Sequence, residues 1–511
     1  MKTRVANCGR CWDGHSPHCC ARPCFNYILR HWPNMDYPLI RTLLLFASLL
    51  FVSAATTAQN ESLPDFGEGN AVSLSQEYLL GRAWLMSFRR QAPVLSDPIL
   101  EDYVEELVFK LAATSQLRER RLEIVLVDNA SINAFAVPGG VVGIHNGLIF
   151  QAESEAQFAS VLGHELAHLS QRHFSRGIEN QKKSQKMSMI GLLGGLVAVA
   201  AGSGEAGMAA MMGSQAAAQD SALRYSRLHE QEADRLGMQN LAGAGMDPGA
   251  TAAMFVVMQR EARTYGARPP EFLMTHPLTE SRISDARNRA RDYPRRIYED
   301  NPAYQLMRAR VELSFIEDPA KAVEHFREKR SKGGKNAVAS QYGLILALAQ
   351  DGQFAEARKL LKPMRDFAPT NMIYGLAQAD IDIEQKRYDT AIAHLEKGLR
   401  LVPNNHPITM KLAKAYFRAQ RYSDADVLLT AHSKNKPTNA HLWYVLSEVQ
   451  GLAGNKLGLH QSRAEYFALN GAMKPAMEQL SYARNLARDD VTVQRIERRM
   501  AFFQAVDRAL R

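Results

Sequence analysis

The sequence predicts a mostly helical α+β fold, in which a domain with a small β-sheet precedes an array of helical repeats. Three observations support this prediction. Residues 161–168 read V-L-G-H-E-L-A-H within a segment whose apolar residues recur at helical spacing. Two short runs rich in β-branched residues, 122–127 and 141–144, read as strands, the second closed by an Asn146-Gly147 turn. From Asn301 onwards, residues of one type recur every 34 positions, which predicts stacked helix pairs.

Length and composition describe a globular chain with more than one domain. The chain has 511 residues, of which 46% are hydrophobic and 23% charged. We predict a leader (1–58), a first domain (59–298) and a repeat domain (299–511). Residues 59–511 keep 56 basic and 51 acidic residues, a net charge of +5. So small a surplus, without basic clusters interleaved with aromatic residues, argues against nucleic acid as a partner.

The first 58 residues are typical of a leader with a cleavable export signal. Arg41 precedes about ten apolar residues, and the small residues that follow offer cleavage near Ala55 or Ala58. Signal peptides are short, so Met35 is a better candidate start than Met1. All five cysteines lie in the first 24 residues, beside two histidines, which also fits a zinc knuckle. That alternative is weaker, because cleavage would discard the segment.

The motif H-E-x-x-H indicates a metal site. Residues four apart share one face of a helix, so His164 and His168 can offer ring nitrogens to one metal ion. Glu165 lies beside them, where it could take a proton from a water molecule held at the metal. The alternative is a chance match on a charged helix.

A second acidic motif, H-E-Q-E-A-D at residues 229–234, makes the metal interpretation stronger. Glu230 can be a third ligand, and Asp234, one turn later, can accept the free N–H of a ligating imidazole. The alternative is a pair of acidic residues on a solvated helix. We expect Glu232 to be solvated. We expect His173 to be a surface histidine at a helix end, because it is out of register for a third histidine ligand.

These motifs resemble the glutamate-zincin peptidases of the CAAX-prenyl-protease type. The resemblance covers roughly residues 70–500. It implies a zincin-like domain that binds one zinc ion per chain through His164, His168 and Glu230, with Glu165 as the catalytic base. The motifs that support it are H-E-L-A-H, E-x-x-A-D, N-A-F-A-V-P-G-G at 133–140, and T-H-P at 275–277 followed by Arg282.

The resemblance gives candidate roles to two further segments. His276 is a candidate catalytic residue that approaches the zinc, either filling the open ligand position in a latent state or stabilising the transition-state oxyanion. Ordinary loop packing is the alternative. A second segment looks like the family's edge strand, whose free edge could hold substrate as an added strand. A plain sheet edge with a Pro-Gly-Gly turn is equally compatible with it. The residues of this candidate substrate strand are Asn133, Ala134, Phe135 and Ala136.

The Gly/Met-rich segment 187–218 fits two structures. Its uncharged run of about a dozen residues is too short to span a bilayer, which needs about twenty. One interpretation is a buried helical hairpin. The other is a mobile flap over the cleft that engages unfolded chains or makes peripheral contact with a membrane, since Met-rich surfaces adapt.

Four series of residues at a spacing of 34 are the tetratricopeptide-repeat signature, with alanines where helices cross and proline ending each pair. Such repeats bind partners in a groove or serve only as a structural brace. We expect the register to weaken after residue 437 and residues 490–510 to form a capping helix. The series are Pro369, Pro403 and Pro437; Phe354, Tyr388 and Tyr422; Ala357, Ala391 and Ala425; and Leu361, Leu395 and Leu429.

The combined prediction is a zinc metalloendopeptidase followed by a helical solenoid. Resemblance to periplasmic members of the family implies location in the periplasm and unfolded or misassembled outer-membrane proteins as substrates. It also implies that the repeats dock on the outer-membrane β-barrel assembly complex. A non-proteolytic chaperone or scaffold is the rival; the intact Glu165 speaks against pure scaffolding but not against a dual role. An integral-membrane peptidase is disfavoured, because no apolar run of about twenty residues follows the signal.

Overall fold

The computed structural model describes residues 73–180, 227–264, 270–334 and 336–510. All of these described residues belong to one compact unit. The predicted leader, with its cysteines and cleavage sites, and the segment 187–218 lie outside the described residues. Within the described ranges, helices dominate and three strands form one small sheet. The predicted mostly helical α+β fold is therefore confirmed.

Several helices of the first half begin at N-cap residues whose side chains accept hydrogen bonds from the first turn. Asp97 accepts hydrogen bonds from the backbone amides of Ile99 and Leu100, with Pro98 in the first turn. Ser154, the N-cap of the helix that begins at Glu155, likewise accepts a hydrogen bond from the backbone amide of Gln157. The helices are α1 (Leu74–Gln91), α2 (Pro98–Thr114), α3 (Asn146–Gln151), α4 (Glu155–Ser170), α5 (His173–Asn180), α6 (Arg227–Gly243), α7 (Ala250–Thr264), α8 (Glu271–Thr275) and α9 (Glu280–Ala290).

The sheet has the order β1-β3-β2, with β1 at Glu123–Val127, β2 at Ala134–Val137 and β3 at Val141–His145. Strand β3 is parallel to β1 and antiparallel to β2, so β1 and β2 form the two edges. Both strands predicted from β-branched runs are confirmed. The turn predicted at Asn146-Gly147 is wrong, because α3 begins there. The Asn146 side chain caps the preceding loop instead, donating to Asp128 and accepting the amide of Asn129.

Helix α4, which carries H-E-x-x-H, lies in the core of the first half. It packs against α2, α6, α7 and strand β2. Of its apolar residues, Phe158, Val161 and Leu162 are buried, and Leu169 is partly buried. Burial on all sides holds the polar residues of this helix in a low-dielectric environment.

The helices of the second half form repeating antiparallel pairs that confirm the tetratricopeptide prediction. All three alanines of the predicted series are fully buried, and the three leucines are at most 2% exposed. Within the pairs, Lys386 and Gln420 take left-handed turn conformations, 34 residues apart. The helices are α10 (Pro302–Ser314), α11 (Pro319–Ser331), α12 (Ala337–Gln350), α13 (Phe354–Phe367), α14 (Met372–Glu384), α15 (Tyr388–Leu401), α16 (His406–Arg418), α17 (Tyr422–Ser433), α18 (Ala440–Leu452), α19 (Lys456–Leu469), α20 (Met473–Leu486) and α21 (Asp490–Leu510).

The repeats pack back onto the first half. Tyr304 of α10 is fully buried, donates its hydroxyl to the carbonyl of Ile149 and stacks on Phe158. Arg310 pairs with Asp97 across the same contact. The domain boundary near residue 298 stays a prediction. None of the helices in the described ranges combines the length and apolar character needed to cross a bilayer.

Candidate metal centre

Two glycines let helices α4 and α6 meet backbone to backbone. A methyl group added at Gly237 would lie 3.0 Å from the backbone nitrogen of His164. One added at Gly163 would lie 3.2 Å from the Gly237 carbonyl oxygen. Because Gly237 lies directly against the backbone of α4 at His164, the histidines of α4 face Glu230 of α6 at short range.

Four buried side chains converge beside this crossing. The Nε2 atoms of His164 and His168 lie 3.0 Å apart, and the Glu230 carboxylate lies 3.5 Å from each. His276 Nδ1 lies 3.4 Å from His164 Nε2 and 3.1 Å from Glu230 Oε1. One donor atom from each of the four residues fits within a span of 4.8 Å. The structure therefore brings together the three predicted ligands and His276.

The donor set fits a metal ion. Each of the four residues is at most 5% exposed. Ring nitrogens and carboxylate oxygens that face one another in a dry interior need protons or a cation between them, and one metal ion can contact all four donor atoms at once. Two or three histidines and a carboxylate are the ligands that catalytic zinc sites use.

Asp234 lies where a support for a histidine ligand is expected. Its Oδ1 is 2.9 Å from His164 Nδ1. Arg282 donates to both carboxylate oxygens of Asp234 at 2.7 and 2.8 Å, and its Nη1 lies 2.9 Å from Glu230 Oε2. Burial alone would raise the pKa of Asp234, but the hydrogen bonds from Arg282 and His164 hold it below its ordinary value. The carboxylate therefore stays ionised beside the histidine.

The predictions of a surface position for His173 and a solvated Glu232 are wrong. His173 is 1% exposed, and its Nδ1 lies 2.8 Å from His168 Nδ1. Its Nε2 lies 3.0 Å from Glu232, which also accepts a hydrogen bond from Arg176. Helix α4 ends before Arg172, whose φ of 51° turns the chain so that α5 begins against the site. Spacing along a continuous helix could not show this return.

Glu165 is buried beside the cluster. It is 1% exposed, and its Oε1 accepts no hydrogen bond from the described residues. The nearest cationic candidate is His276, whose Nε2 lies 3.5 Å away. Burial raises the pKa of Glu165, while nearby histidines and a hydrogen bond from the Ala136 amide oppose that shift. A carboxyl group with these properties is suited to accepting a proton.

The candidate substrate strand lies at an edge of the sheet, but the side chain of its first residue, Asn133, is already hydrogen-bonded. Asn133 is 4% exposed and donates to Glu271 at 3.2 Å, with His145 close by. Ala134 is fully buried, whereas Phe135 and Ala136 are partly accessible. Glu271 belongs to α8, the helix that leads directly to His276, and no sequence pattern indicates this link. Substrate binding by residues 133–136 stays a prediction.

Comparison with known proteins identifies the family. The model for Peptidase family M48 matches residues 98–290, and a tetratricopeptide-repeat model matches residues 382–449. The Beta-barrel assembly-enhancing protease of Escherichia coli (strain K12) is 32% identical over 448 residues, which cover 87% of this chain and 91% of the relative. This chain belongs to the beta-barrel assembly-enhancing protease family.

Further relatives agree with this assignment. The beta-barrel assembly-enhancing protease of Yersinia pestis is 34% identical over 454 residues, 86% of this chain and 92% of the relative. The mitochondrial metalloendopeptidase OMA1 of Arabidopsis thaliana is 28% identical over 200 residues, 39% of this chain and 37% of the relative. The predicted enzyme class, a metalloendopeptidase, is thereby confirmed. The roles of individual site residues stay predictions.

Proposed function

We propose that this protein is a zinc-dependent endopeptidase of the periplasm that degrades misassembled outer-membrane β-barrel proteins or promotes their assembly. The observation that carries the proposal is the convergence of His164, His168, Glu230 and His276 beside a buried Glu165. The names of the full-length relatives support the link to β-barrel assembly. The leader-like first 58 residues support export.

The contacts of the side chains support the following roles. Zinc, when bound, supplies a Lewis acid that polarises the scissile carbonyl and makes water more acidic. His164, His168 and Glu230 hold it. Asp234 accepts the N–H of His164 Nδ1, which leaves Nε2 free as a ligand atom. Arg282 holds Asp234 and Glu230 in place through three short contacts.

Glu165 moves the proton. Its pKa is raised and its Oε1 accepts no hydrogen bond from the described part of the chain, so it accepts a proton from the attacking water and passes it to the leaving amine. The hydrogen bond from the Ala136 amide ties this carboxylate to edge strand β2. A substrate strand added to β2 would then lie beside the base.

His276 closes the resting site. Its Nδ1 lies within 3.4 Å of the ligand atoms of both His164 and Glu230, a position suited to a fourth ligand. That geometry favours the latent role over oxyanion stabilisation. Opening then requires movement of α8 and of its contact with Asn133.

The repeats supply protein contacts. Tetratricopeptide arrays present concave surfaces to partner chains. We propose the outer-membrane β-barrel assembly complex as the docking partner and unfolded or misassembled outer-membrane proteins as substrates. Peripheral membrane contact through residues 187–218 belongs to the same proposal.

The test is the variant Glu165→Gln in the full-length chain. Casein cleavage should fall by a factor of about 10²–10⁴, since the base is lost, while zinc content stays near one ion per chain. Zinc is measured by inductively coupled plasma mass spectrometry. Full peptidase activity in Glu165→Gln would contradict the assigned mechanism. A wild-type chain that binds unfolded outer-membrane protein without cutting it would favour the rival chaperone function.

A further inference from the structure

The outer edge of strand β1 carries backbone groups that have no partner among the residues that the structure describes. Glu123 donates its amide to the Gly140 carbonyl at 2.9 Å, so residues 123, 125 and 127 point their backbone groups toward β3. The N–H and C=O of Ile124 therefore point away from the sheet. Among the described residues, neither the N–H nor the C=O of Ile124 has a hydrogen-bond partner. An edge with such groups is a template for another strand.

The same edge already pairs with an antiparallel chain at its other end. Val94 bridges to Val127 in antiparallel fashion. Leu95 donates its amide to the Leu126 carbonyl at 2.9 Å, and Asp128 donates to the Pro93 carbonyl at 2.8 Å. This pairing shows that the edge accepts an antiparallel partner. It stops short of Ile124, so the first half of β1 stays open.

The open half of β1 forms the floor of a cleft of about 470 Å³ between the sheet and the repeats. This volume lies within the range of about 300–1,000 Å³ that ligand pockets occupy. Its walls come from α1 and α2, and its roof from residues 435–441, which join α17 to α18 and begin α18. Three contacts hold this roof over the floor: Lys436 to Glu105 at 2.5 Å, Asn439 to Glu101 at 3.1 Å, and Arg89 to the Thr438 carbonyl at 3.2 Å.

One buried acceptor in this cleft has no donor within the described ranges. Glu123 lines the cleft and is 9% exposed, yet its Oε2 accepts no hydrogen bond from the described residues. The nearest cationic atom, Arg82 Nη1, lies 3.7 Å away. A buried acceptor without a donor is costly, so an occupant that supplies one is favoured.

We propose that the outer edge of β1, beneath the roof of residues 435–439, binds an extended polypeptide segment as an added antiparallel strand. The segment pairs its backbone with Ile124 and reaches Glu123 with a hydrogen-bond-donating side chain. Backbone pairing selects for unfolded, extended chains with little sequence preference. The strand order puts this site on the edge opposite β2, so it goes beyond the proposed peptidase function and holds a chain away from the metal.

The experiment uses the full-length chain with Glu165→Gln, so that a bound peptide is not cut. The photo-cross-linking amino acid p-benzoylphenylalanine replaces Tyr444, which lines the cleft and is 47% exposed. A matched control places it at Tyr482, which is 54% exposed and does not line the cleft. The probe is a biotinylated peptide of about ten residues with alternating valine and threonine and one lysine. A second probe carries proline at alternate positions, which removes half of its N–H donors.

We expect cross-linking at position 444 to exceed that at position 482, and to fall about tenfold with the proline probe, because strand pairing needs the N–H groups. Ile124→Pro should weaken binding of the first probe by a similar factor, whereas Ile124→Val, which keeps the backbone amide, should not. Equal labelling at both positions, or equal labelling by both probes, would overturn the proposal. The two probes are compared on one unaltered edge, so the test holds even if Ile124→Pro does not fold. Casein cleavage by the chain with Glu165 is measured separately; its failure would refute the peptidase proposal without affecting these results.

Discussion

Two pairs of buried histidines have nearly the same nitrogen–nitrogen distance. In the metal centre, the Nε2 atoms of His164 and His168 are 3.0 Å apart. In the repeats, His406 Nδ1 and His432 Nε2 are 2.9 Å apart. The first two rings meet edge to face at 68°, whereas the second two are stacked at 13°. All four side chains are at most 5% exposed.

The surroundings separate the two pairs. Glu230 lies 3.5 Å from both histidines of the first pair, and His276 adds a fourth donor. At the second pair, Glu101 approaches only one ring, at 3.5 Å from His406 Nε2. Among the described residues, a converging set of three or more donors occurs only at the first pair. A short distance between ring nitrogens therefore does not indicate a metal site unless an acidic group faces both.

The largest expected effect is on zinc affinity, and it distinguishes Glu230 at the first pair from Glu101 at the second. Glu230→Gln should lower zinc affinity by more than about a hundredfold, because losing a ligand exceeds the cost of losing a supporting contact. Glu101→Gln, at the stacked pair, should leave zinc affinity unchanged. Competition with a chromophoric chelator measures both values. An equal loss of zinc affinity in the two variants would contradict the assignment of the metal site to the first histidine pair.

The next effect concerns the contact behind His168. His173→Phe should lower zinc affinity by about 10–100-fold, because His168 Nδ1 loses its partner at 2.8 Å and the ring loses its fixed orientation. Asp234→Asn provides the matched case behind His164. Chelator competition again gives the affinities, and circular dichroism checks the fold. An unchanged affinity in His173→Phe would make that contact purely a matter of packing.

A smaller effect is expected when the fourth donor is removed. His276→Ala should raise casein cleavage by up to about tenfold if the latent state accounts for about nine-tenths of the molecules. Self-cleavage should accompany the increase. His432→Ala, in the stacked pair, is the control and should leave the cleavage rate unchanged. A fall in kcat for His276→Ala would instead assign His276 to the transition state.

The smallest effect is a pH dependence of stability at the stacked pair. Burial, with His406 and Lys436 nearby, lowers the pKa of His432 to about 4 from its ordinary 6.5. The unfolded chain therefore binds more protons than the folded chain between these values. The free energy of unfolding should fall by about 1–2 kcal/mol between pH 7.5 and pH 5. In His432→Gln, urea denaturation at the two pH values should show a smaller difference; an equal difference would mean that His432 does not titrate in this way.

The sequence predicted the parts of the molecule that depend on regular spacing. Four residues separate His164 from His168 and Glu230 from Asp234, so one helix face carries each pair, and the structure places both pairs as expected. The 34-residue series likewise gave the repeats, since each alanine marks a helix crossing.

Contacts that depend on a turn or on distant packing could not be predicted. His173 returns to the site only because Arg172 adopts a left-handed conformation. The contact of Asn133 with Glu271 joins residues 138 positions apart. The free edge of β1 became visible only once the strand order placed β3 between β1 and β2. No local pattern encodes such relations.

Heat should release the metal and separate helices α4 and α6 in a single step. Most packed helices are held apart by side chains that can change rotamer as temperature rises. At Gly163 and Gly237 the backbones touch, and glycine has no rotamers to change. The backbone spacing from which His164, His168 and Glu230 extend should therefore stay fixed while the two helices stay packed. Zinc release followed during heating should coincide with the loss of helical circular dichroism. No zinc should be released below the temperature at which the helices unfold.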